Sequence, residues 1–349
     1  MSGDDKNRLA ALPKITVVIP VKNESRHIEN TILKILEQDY PPEKIEIIVA
    51  CGESEDNSAE IVASIAGKDS RVKLFSNNVG LASGGRNIGV RNATGHIITF
   101  IDGHTYIDSN QLLMNTARLM DEKEVSVLSR PQFLDTPDNN FIQKAISLAR
   151  KSALGHGLDS TIFTDKEMYV DPTSSGASYK REIFEEIGLY DERFDACEDV
   201  DFNFRLAKAG YKSFTSMKLA VFYYPRESIK GLFNQLKRYG VGRFRLARKH
   251  PETLSVSTLL PALFTGGMPL LGILSILSSP IFLLFLGILG IYILMILGGS
   301  IAISLRNGLR YLPFLPLIYP AIHIGLGSGF LQEFWRTFTG RGINFLNQT

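Results

Sequence analysis

The N-terminal part of the chain alternates short apolar runs with segments whose apolar residues recur at helical spacing. Residues 15–19 (ITVVI) are β-branched and almost wholly apolar, which predicts a strand that is covered on both faces and ends at Pro20. Apolar positions at helical spacing predict a helix over residues 25–38. Three further buried strands are predicted, at residues 45–50, 72–75 and 97–101. Strands that alternate with helices indicate an α/β fold with a mostly parallel sheet.

Polar residues follow these predicted strands and would therefore meet at one edge of the sheet. In parallel α/β sheets, ligands bind beyond the carboxyl ends of the strands. The residues at those ends are Pro20, Lys22, Asn23 and Glu24 after the first strand, Cys51, Glu53 and Asp56 after the second, Arg86 at a helix start after the third, and Asp102 and His104 after the fourth. Their convergence predicts a binding site.

The sequence Asp102-Gly103-His104 ends the fourth predicted strand. A carboxylate and an imidazole that are separated by a glycine can both face one ion of the Mg²⁺ or Mn²⁺ type. An ordinary Asp-Gly turn is the alternative interpretation. Arg86 follows two glycines at a helix start, and we interpret it either as a phosphate contact or as a surface ion pair.

An acidic segment at residues 191–201 leads into a helix that is predicted to end at Gly210. Its three carboxylates Glu198, Asp199 and Asp201 are more than helix capping needs. Crowded like charges raise the pKa of at least one carboxyl group, which suits a general base. The spacing alone does not identify which of the three would be the base.

The C-terminal third of the chain is different in character. No Asp, Glu, Lys or Arg occurs from residue 253 to 305, and two membrane spans are predicted, near 257–278 and 281–304. A third apolar segment, 311–331, is interrupted by prolines and glycines, and crossing is favoured over a re-entrant arrangement.

Residues 226–250 hold eight Lys or Arg against one Glu. A solvated charged face is the usual explanation of such a run. Beside a span, however, a segment that binds anionic lipid or a lipid-linked phosphate is favoured, and nucleic acid is not expected as a partner.

Composition adds little beyond this division, since the net charge of +2 indicates no charged partner. The first residues lack the basic-then-apolar pattern of a signal peptide, so the first domain is expected in the cytoplasm. The two cysteines, Cys51 and Cys197, are expected to be small buried residues in a reducing compartment. Residues 141–154 form a predicted amphipathic helix, for which packing on the domain is favoured over a membrane surface. The predicted organisation is a polar tail at 1–13, an α/β domain at 14–225, a basic interfacial segment at 226–254 and a membrane domain at 255–349.

As an ordered set, these motifs resemble family 2 glycosyltransferases, whose nucleotide-sugar-binding domain has the GT-A fold. VVIPVKNES resembles the opening-strand motif, FIDGH the metal-binding DxD-type motif, and CEDVDFNFRLAKAG the ED motif that carries the base. QLKRYGVGRFRLARKHP resembles the QxxRW-like element of the family. The order of the motifs is most similar to membrane-anchored enzymes of the succinoglycan-biosynthesis type, and the resemblance covers residues 14–250.

The resemblance implies an inverting, metal-dependent sugar transfer. Asp199, with Glu198 beside it, would take the proton of the acceptor hydroxyl. Asp102 and His104 would hold Mg²⁺ or Mn²⁺ on the donor diphosphate. The other residues that match nucleotide-sugar-binding positions are Pro20, Lys22, Asn23, Glu24, Cys51, Glu53, Arg86, Gly176, Ala177, Gln235, Arg238 and Tyr239, with Arg243 as a further phosphate contact.

The chain departs from the family pattern at two positions. An aspartate that contacts the nucleotide base usually follows the second strand, whereas this chain has Cys51. A thiol is a poor acceptor for a uracil N–H, which argues against recognition of UDP unless Glu53 or Asp56 substitutes. His104 replaces the last aspartate of the DxD-type motif, which removes one negative charge and is expected to weaken metal binding.

The expected protein is a hexosyltransferase anchored in the inner or plasma membrane with its catalytic domain in the cytoplasm. It would move a sugar from a nucleotide-diphosphate donor to a lipid-linked or polysaccharide-precursor acceptor. One alternative is a polyprenyl-phosphate sugar synthase. The other is a non-catalytic membrane protein that binds nucleotide sugars, against which the presence of Asp102, His104 and Asp199 argues.

Overall fold

The chain divides into two compact units in the computed structural model, which describes residues 11–156 and 161–343. The first unit comprises the chain up to residue 136 together with 161–224, and the second comprises 137–160 and the chain from 225 onward. The second unit therefore takes in residues 137–160, which the sequence assigned to the α/β domain. Most of the predicted tail 1–13 and the end of the predicted membrane domain lie outside the described residues.

The described residues form strands and helices in the alternating order that the sequence predicts for the first unit. The strands are β1 (Ile15–Val21), β2 (Ile45–Gly52), β3 (Val72–Asn77), β4 (Ile97–Phe100), β5 (Thr105–Tyr106), β6 (Val127–Ser129), β7 (Gln132–Phe133), β8 (Met168–Val170), β9 (Gly176–Lys180), β10 (Ser213–Thr215) and β11 (Val221–Tyr223). The helices are α1 (Ile28–Leu36), α2 (Ser58–Ala66), α3 (Ala82–Asn92), α4 (Leu112–Glu122), α5 (Phe141–Arg150), α6 (Ile183–Glu186), α7 (Glu198–Lys208), α8 (Ile229–Lys249), α9 (Val256–Leu274), α10 (Ser279–Asn307) and α11 (Leu315–Phe338).

An eight-stranded sheet with the order β3-β2-β1-β4-β9-β6-β10-β8 organises the first unit. The strands from β3 to β4 are parallel, whereas β9 is antiparallel to both of its neighbours. Alternate residues of β1 enter two separate apolar cores, because helices cover both faces of the sheet. The α/β fold with a mostly parallel sheet is therefore confirmed.

The register of the central strands brings the predicted site residues to one edge. Pro20 pairs with Ala50 and Val21 with Cys51, so the loops after β1 and β2 leave the sheet side by side. β2 is longer than predicted, because its pairing with β3 continues as far as Gly52. After β4, the chain passes through Asp102-Gly103-His104 directly into β5, which belongs to a small second sheet of order β5-β11-β7.

The second unit is helical. Among the described residues, α9 and α10 are long and apolar enough to cross a membrane, and they correspond to the first two predicted spans. The amphipathic segment that follows residue 141 is helical as far as Arg150, and its apolar side chains Ala145, Ile146 and Ala149 are buried within this unit. The third predicted span, 311–331, overlaps α11.

Candidate active site

Arg86 lies on the second turn of α3, where two glycines allow the helix to approach the sheet closely. A Cβ atom at Gly84 would lie 2.8 Å from Oδ1 of Asn77, and a Cβ atom at Gly85 would lie 2.9 Å from Cβ of Pro20. Larger residues at either position would push the helix away from the ends of β1 and β3. The glycine pair therefore fixes the position of Arg86 by packing, and Pro20 contributes to the site as part of that packing surface.

The guanidinium of Arg86 is surrounded by two carboxylates and two aromatic rings. Its Nη2 lies 3.4 Å from Oδ1 of Asp102, and its Nε lies 3.5 Å from Oε1 of Glu198. The ring centroids of Phe100 and Tyr190 are 5.2 and 5.6 Å from its central carbon, which is cation–π distance. Burial lowers the pKa of Arg86, but the two carboxylates outweigh burial, and the net effect is a raised pKa.

The contacts of Arg86 with the two carboxylates are long for charge-assisted hydrogen bonds, which are typically about 2.7–2.9 Å. Among the described residues, its buried Nε has no hydrogen-bond partner. The aromatic rings therefore hold the guanidinium in place, while its donors are not saturated. Such a cation at a strand-end edge can bind an added anion.

The acidic motif forms the first turn of α7. Cys197 precedes it in the left-handed conformation (φ 66°), and this turn directs Glu198 inward, where it is buried beside Arg86. Burial and the neighbouring charge of Asp199 raise the pKa of Glu198 to about 7, although Arg86 opposes the shift. Asp199 is partly exposed, and its Oδ1 accepts a hydrogen bond from the backbone N–H of Val200 at 2.8 Å. Of this pair, Glu198 is thus enclosed by protein, whereas Asp199 can be reached from solvent.

Asp102 and His104 are brought to the same turn, next to Glu24. Nδ1 of His104 lies 2.7 Å from Oε1 of Glu24, and a Cβ atom at Gly103 would lie 3.1 Å from Cγ of Glu24. A carboxylate that fixes one imidazole nitrogen is the usual support of a metal-binding histidine. Glu24 is therefore placed as the partner of His104.

This donor set fits a hard divalent ion that is shared with a ligand. The described residues contain no group of three or more His, Cys, Asp or Glu that could enclose a metal by themselves. Mg²⁺ in nucleotide sites is typically held by one or two protein side chains, with phosphate oxygens and waters completing the shell. Asp102 with His104 meets that requirement, since the side chain of Asp102 is 32 % exposed.

The loops after β1 and β2 are tied together by hydrogen bonds. The side chain of Asn23, whose backbone is left-handed (φ 57°), accepts from the backbone N–H of Glu55 at 2.7 Å, and the backbone N–H of Asn23 donates to Oγ of Ser54 at 3.1 Å. Asp56 accepts from the N–H of Ser25 at 3.0 Å and from Ser58, and these bonds outweigh burial and lower its pKa to about 2. The oxygens of Asp56 therefore support the loops, and contact of Glu53 or Asp56 with a nucleotide base stays a prediction.

The other predicted residues of this edge differ in exposure. Lys22 and Glu53 are exposed, whereas Cys51 is buried within β2. Burial raises the pKa of the Cys51 thiol, so at neutral pH the side chain is a small neutral residue and not a thiolate. Their roles in binding a nucleotide stay predictions.

Gly176 and Ala177 begin β9 beside α7. A Cβ atom at Gly176 would overlap the amide of Asn203, whose Nδ2 donates to the carbonyl of Gly176 at 3.4 Å. Tyr179 donates to Oδ1 of the same asparagine at 2.8 Å. The glycine thus lets the start of β9 contact the helix that carries Glu198 and Asp199.

Arg130 is a buried residue of this region that the sequence reasoning missed. Its Nη1 donates to the carbonyl of Phe100 and its Nη2 to Oγ1 of Thr99, both at 2.7 Å. It therefore fixes the end of β4 immediately before Asp102. Burial lowers the pKa of Arg130, in contrast to Arg86. In the sequence, the only sign of Arg130 is its place directly after β6, and a strand of three residues is too short to be predicted.

Gln235, Arg238 and Tyr239 lie on α8 in the second unit. Nε2 of Gln235 donates to the hydroxyl of Tyr239 at 3.3 Å, one helical turn away. Arg238 and Arg243 are exposed on the same helix. Their contact with donor phosphates stays a prediction.

Residues 16–188 match the family model of glycosyl transferase family 2. The chain is 28% identical to the succinoglycan biosynthesis protein ExoA of Rhizobium meliloti over 341 residues, which cover 95% of this chain and 97% of that protein. It is 24% identical over 323 residues to a dolichyl N-acetyl-α-D-glucosaminyl phosphate 3-β-D-2,3-diacetamido-2,3-dideoxy-β-D-glucuronosyltransferase of Methanococcus voltae, with 91% and 96% coverage.

A solved structure shows the same fold over nearly the whole chain. The mannosyltransferase PcManGT from Pyrobaculum calidifontis, in complex with GDP-Man and Mn²⁺, is similar with a TM-score of 0.60 and 18% identity. The match covers 94% of this chain and 88% of that chain.

Proposed function

Because the chain belongs to glycosyl transferase family 2, we propose that it transfers a sugar with inversion from a nucleotide-diphosphate donor to a lipid-linked acceptor at the cytoplasmic face of a membrane. The enzyme class and the nucleotide-sugar donor follow from the family. The inversion, the dependence on a divalent metal, the acceptor and the membrane face are our proposals.

The observation that carries the proposal is the unsaturated Arg86 at the edge of the sheet. Its contacts of 3.4 and 3.5 Å with Asp102 and Glu198 leave donor capacity on a guanidinium that is otherwise enclosed by rings. A donor diphosphate would supply the missing acceptor oxygens, and guanidinium–phosphate contacts are short and directional. Arg86 would then stabilise the charge that develops on the leaving nucleoside diphosphate.

Asp199 is the better candidate for the general base, although Glu198 has the raised pKa. A base must reach the acceptor hydroxyl, and Asp199 is partly exposed whereas Glu198 is buried against Arg86. Asp199 would accept the hydroxyl proton while the acceptor oxygen bonds to the anomeric carbon. The bond from that carbon to the diphosphate oxygen breaks, and the nucleoside diphosphate leaves with the electron pair.

Asp102 and His104 would hold the divalent ion, which supplies positive charge at the donor diphosphate. Glu24 would keep the imidazole of His104 in the required orientation through its contact with Nδ1. Arg130 would keep Asp102 in place by fixing the carbonyl of Phe100. These residues position the ligands and do not exchange protons with the acceptor.

The lipid-linked acceptor is proposed from the apolar helices and from the relatives. α9 and α10 would confine the enzyme to the bilayer surface, where a lipid-linked substrate resides. The name of the Methanococcus voltae relative specifies a dolichyl-linked sugar phosphate as the acceptor of that enzyme. A phosphate acceptor, as in a polyprenyl-phosphate sugar synthase, is the alternative, and the variant Asp199→Asn described below tests it.

The first test is donor turnover. Purified protein in detergent is incubated with UDP-, GDP- or dTDP-sugars, with Mg²⁺, with Mn²⁺ or with a chelator, and release of the nucleoside diphosphate is measured. We expect one nucleotide class to be turned over only when the divalent metal is present. Turnover that the chelator leaves unchanged would exclude the proposed metal role of Asp102 and His104.

The second test replaces the base. Asp199→Asn is expected to lower transfer by about a hundredfold or more while donor binding, measured calorimetrically, is retained. Glu185→Gln, an exposed carboxylate on α6, is the matched control and is expected to behave like the wild type. Unchanged transfer in Asp199→Asn would refute the base role and favour a phosphate acceptor, which needs little base assistance.

A further inference from the structure

α8 and α11 pack against each other in parallel along most of their length. Phe233 lies beside Gly325, and further along the helices Val241 lies beside Gly329. A Cβ atom added at Gly329 would lie 3.0 Å from the backbone nitrogen of Val241. A Cβ atom at Gly325 would lie 2.9 Å from the carbonyl of Phe233. Gly240 of α8 makes the reciprocal close approach to the backbone of α11 at Phe330. Glycines on both helices therefore bring the two backbones into contact.

Side chains continue this pairing toward the ends of both helices. Phe244 meets the ring of Phe330 edge-on at 5.0 Å. Nε of Arg245 donates to Oε1 of the buried Glu333 at 2.9 Å, and Arg248 reaches the hydroxyl of Thr337 at 3.4 Å. The contacts from Phe233 to Arg248 extend over about 24 Å of helix. The two helices must therefore share one environment.

The charges of α8 limit how deep this environment can lie in a membrane, although α11 also contacts the apolar helices α9 and α10, at Gly327 and at His323. The stretch that lies along α11 carries five cations, Lys237, Arg238, Arg243, Arg245 and Arg248. Each Lys or Arg is costly in hydrocarbon, and placing α8 in the bilayer core would bury all five of these cations there. The other end of α11 packs on α5, where Tyr311 before α11 stacks on Phe141 at 5.0 Å, and α5 carries Lys144 and Arg150.

The apolar residues of α11 are accordingly covered by protein. Leu315, Ile318, Tyr319, Ile322 and Phe330 are buried, whereas only 6% of the residues in the apolar windows of α9 and α10 are buried. The apolarity of the predicted span 311–331 is thus explained by helix packing within the second unit.

The last turn of α11 exposes three aromatic rings next to arginines. Phe334, Trp335 and Phe338 are 51%, 63% and 75% exposed, and Arg336 and Arg341 lie beside them in the sequence. Aromatic rings with neighbouring cations are typical of the headgroup region of a membrane. The same unit carries the two apolar helices, so a lipid surface is the partner that this patch fits.

We infer that α11 lies with α8 at the membrane surface and does not cross the bilayer, with Phe334, Trp335 and Phe338 among the headgroups of an anionic leaflet. The C-terminal end of α11 is then on the same side of the membrane as α8. This inference does not depend on the proposed reaction, and its tests do not measure transfer.

Sidedness is the decisive test. Asn234→Cys on α8 and Arg341→Cys after α11 place thiols at exposed positions, whereas the native Cys51 and Cys197 are buried. Each variant is labelled with an impermeant maleimide in inverted membrane vesicles and in right-side-out spheroplasts, with the wild type as background. We expect both thiols to label in the same preparation and to be protected in the other. Labelling of the two thiols in opposite preparations would overturn the inference.

Contact with headgroups is tested in the wild-type protein, because Trp335 is its single tryptophan. Trp335 emission is measured in vesicles of phosphatidylcholine, with and without phosphatidylglycerol, that contain lipids brominated at shallow or deep positions. We expect stronger quenching by the shallow label, and more of it with phosphatidylglycerol. Emission that no brominated lipid quenches would place Trp335 in water and refute the membrane contact.

Discussion

Each unit of the protein contains a charged side chain that lies between two opposite charges, and the two arrangements differ in how closely the central group is bonded. In the first unit, Arg86 lies between Asp102 and Glu198 at 3.4 and 3.5 Å. In the second, Glu333 lies between Arg245 and Arg336 at 2.9 and 3.7 Å. One is a cation between anions, and the other is an anion between cations.

The difference lies in how tightly the central group is bonded. Glu333 accepts a hydrogen bond of ordinary length from Arg245, and this bond joins two helices. Arg86 is held by aromatic rings, and its buried Nε has no hydrogen-bond partner among the described residues. Oε2 of Glu333, like Nε of Arg86, has no hydrogen-bond partner among the described residues, so the two sites differ in the short bond that Glu333 makes through Oε1. A short buried pair between two helices supports packing, whereas a cation with only long contacts can bind a ligand. The comparison therefore predicts different consequences of removing each central group.

The largest effect is expected from Arg86→Met, which keeps the apolar contacts with the rings and removes the guanidinium. Sugar transfer should fall by about a hundredfold to a thousandfold, because a positioned donor to the developing negative charge is lost. The measurement is kcat/KM with the donor identified in the turnover screen. Arg91→Met, an exposed arginine on the same helix, is the control that should retain activity. Equal activities of the two variants would contradict the role of Arg86.

The next effect concerns stability in the second unit. Glu333→Ala should lower the free energy of unfolding by about 3 kcal/mol, because it leaves Arg245 partly buried without its carboxylate. Arg336→Ala, which removes the half-exposed partner, should cost less than about 1 kcal/mol. Thermal unfolding in detergent measures both. A larger loss of stability in Arg336→Ala than in Glu333→Ala would contradict the view that Arg245 and Glu333 form the pair that stabilises the second unit.

A smaller effect distinguishes two glycines of the apolar C-terminal helices. Gly329→Leu should destabilise the protein by about 1–3 kcal/mol, because the new side chain meets the backbone of α8. Gly290→Leu in α10 has open space around the added Cβ atom and should leave the thermal midpoint unchanged. Equal midpoints for the two variants would show that α11 is not packed on α8.

The smallest effect is the pH dependence that Glu198 contributes. Burial and Asp199 raise its pKa to about 7 from the usual 4.5, so the unfolded chain ionises this group more readily than the folded chain. The group therefore opposes folding increasingly as pH rises from about 4.5 to about 7, and contributes no such penalty at lower pH. Glu198→Gln should raise the thermal midpoint relative to the wild type more at about pH 8 than at about pH 5. A difference that does not change with pH would contradict the raised pKa.

The first unit could be predicted from sequence because its strands are β-branched runs with polar residues at their ends. The edge at which those ends meet follows from parallel pairing, which predicts that Asp102 and Arg86 lie there. Glu198 is predicted separately, from the acidic segment at residues 191–201. Arg130 was missed, because a single arginine after a strand of three residues has no pattern in sequence. Its hydrogen bonds to Thr99 and Phe100 exist only because β9 brings β6 close to β4.

The pairing of side chains within the site could not be predicted either. The sequence placed Glu24 among the nucleotide-binding residues, and the structure shows its carboxylate on His104. The sequence also does not show that Asp56 ties the loops after β1 and β2 together. Both contacts join residues that are distant in sequence, and their geometry depends on the register of β1 with its neighbours.

Sequence alone determined the fold class, the edge of the sheet that carries the polar residues, and the two apolar helices α9 and α10, because each depends on local periodicity or composition. Tertiary structure decided which charges are closely paired and which helices pack together. The sequence does not show how closely Arg86 or Glu333 is paired with opposite charges, or that α11, one of three apolar segments, packs on α8. Their different properties come from the neighbours that folding brings against them, since burial and hydrogen bonding are set by contacts between distant parts of the chain.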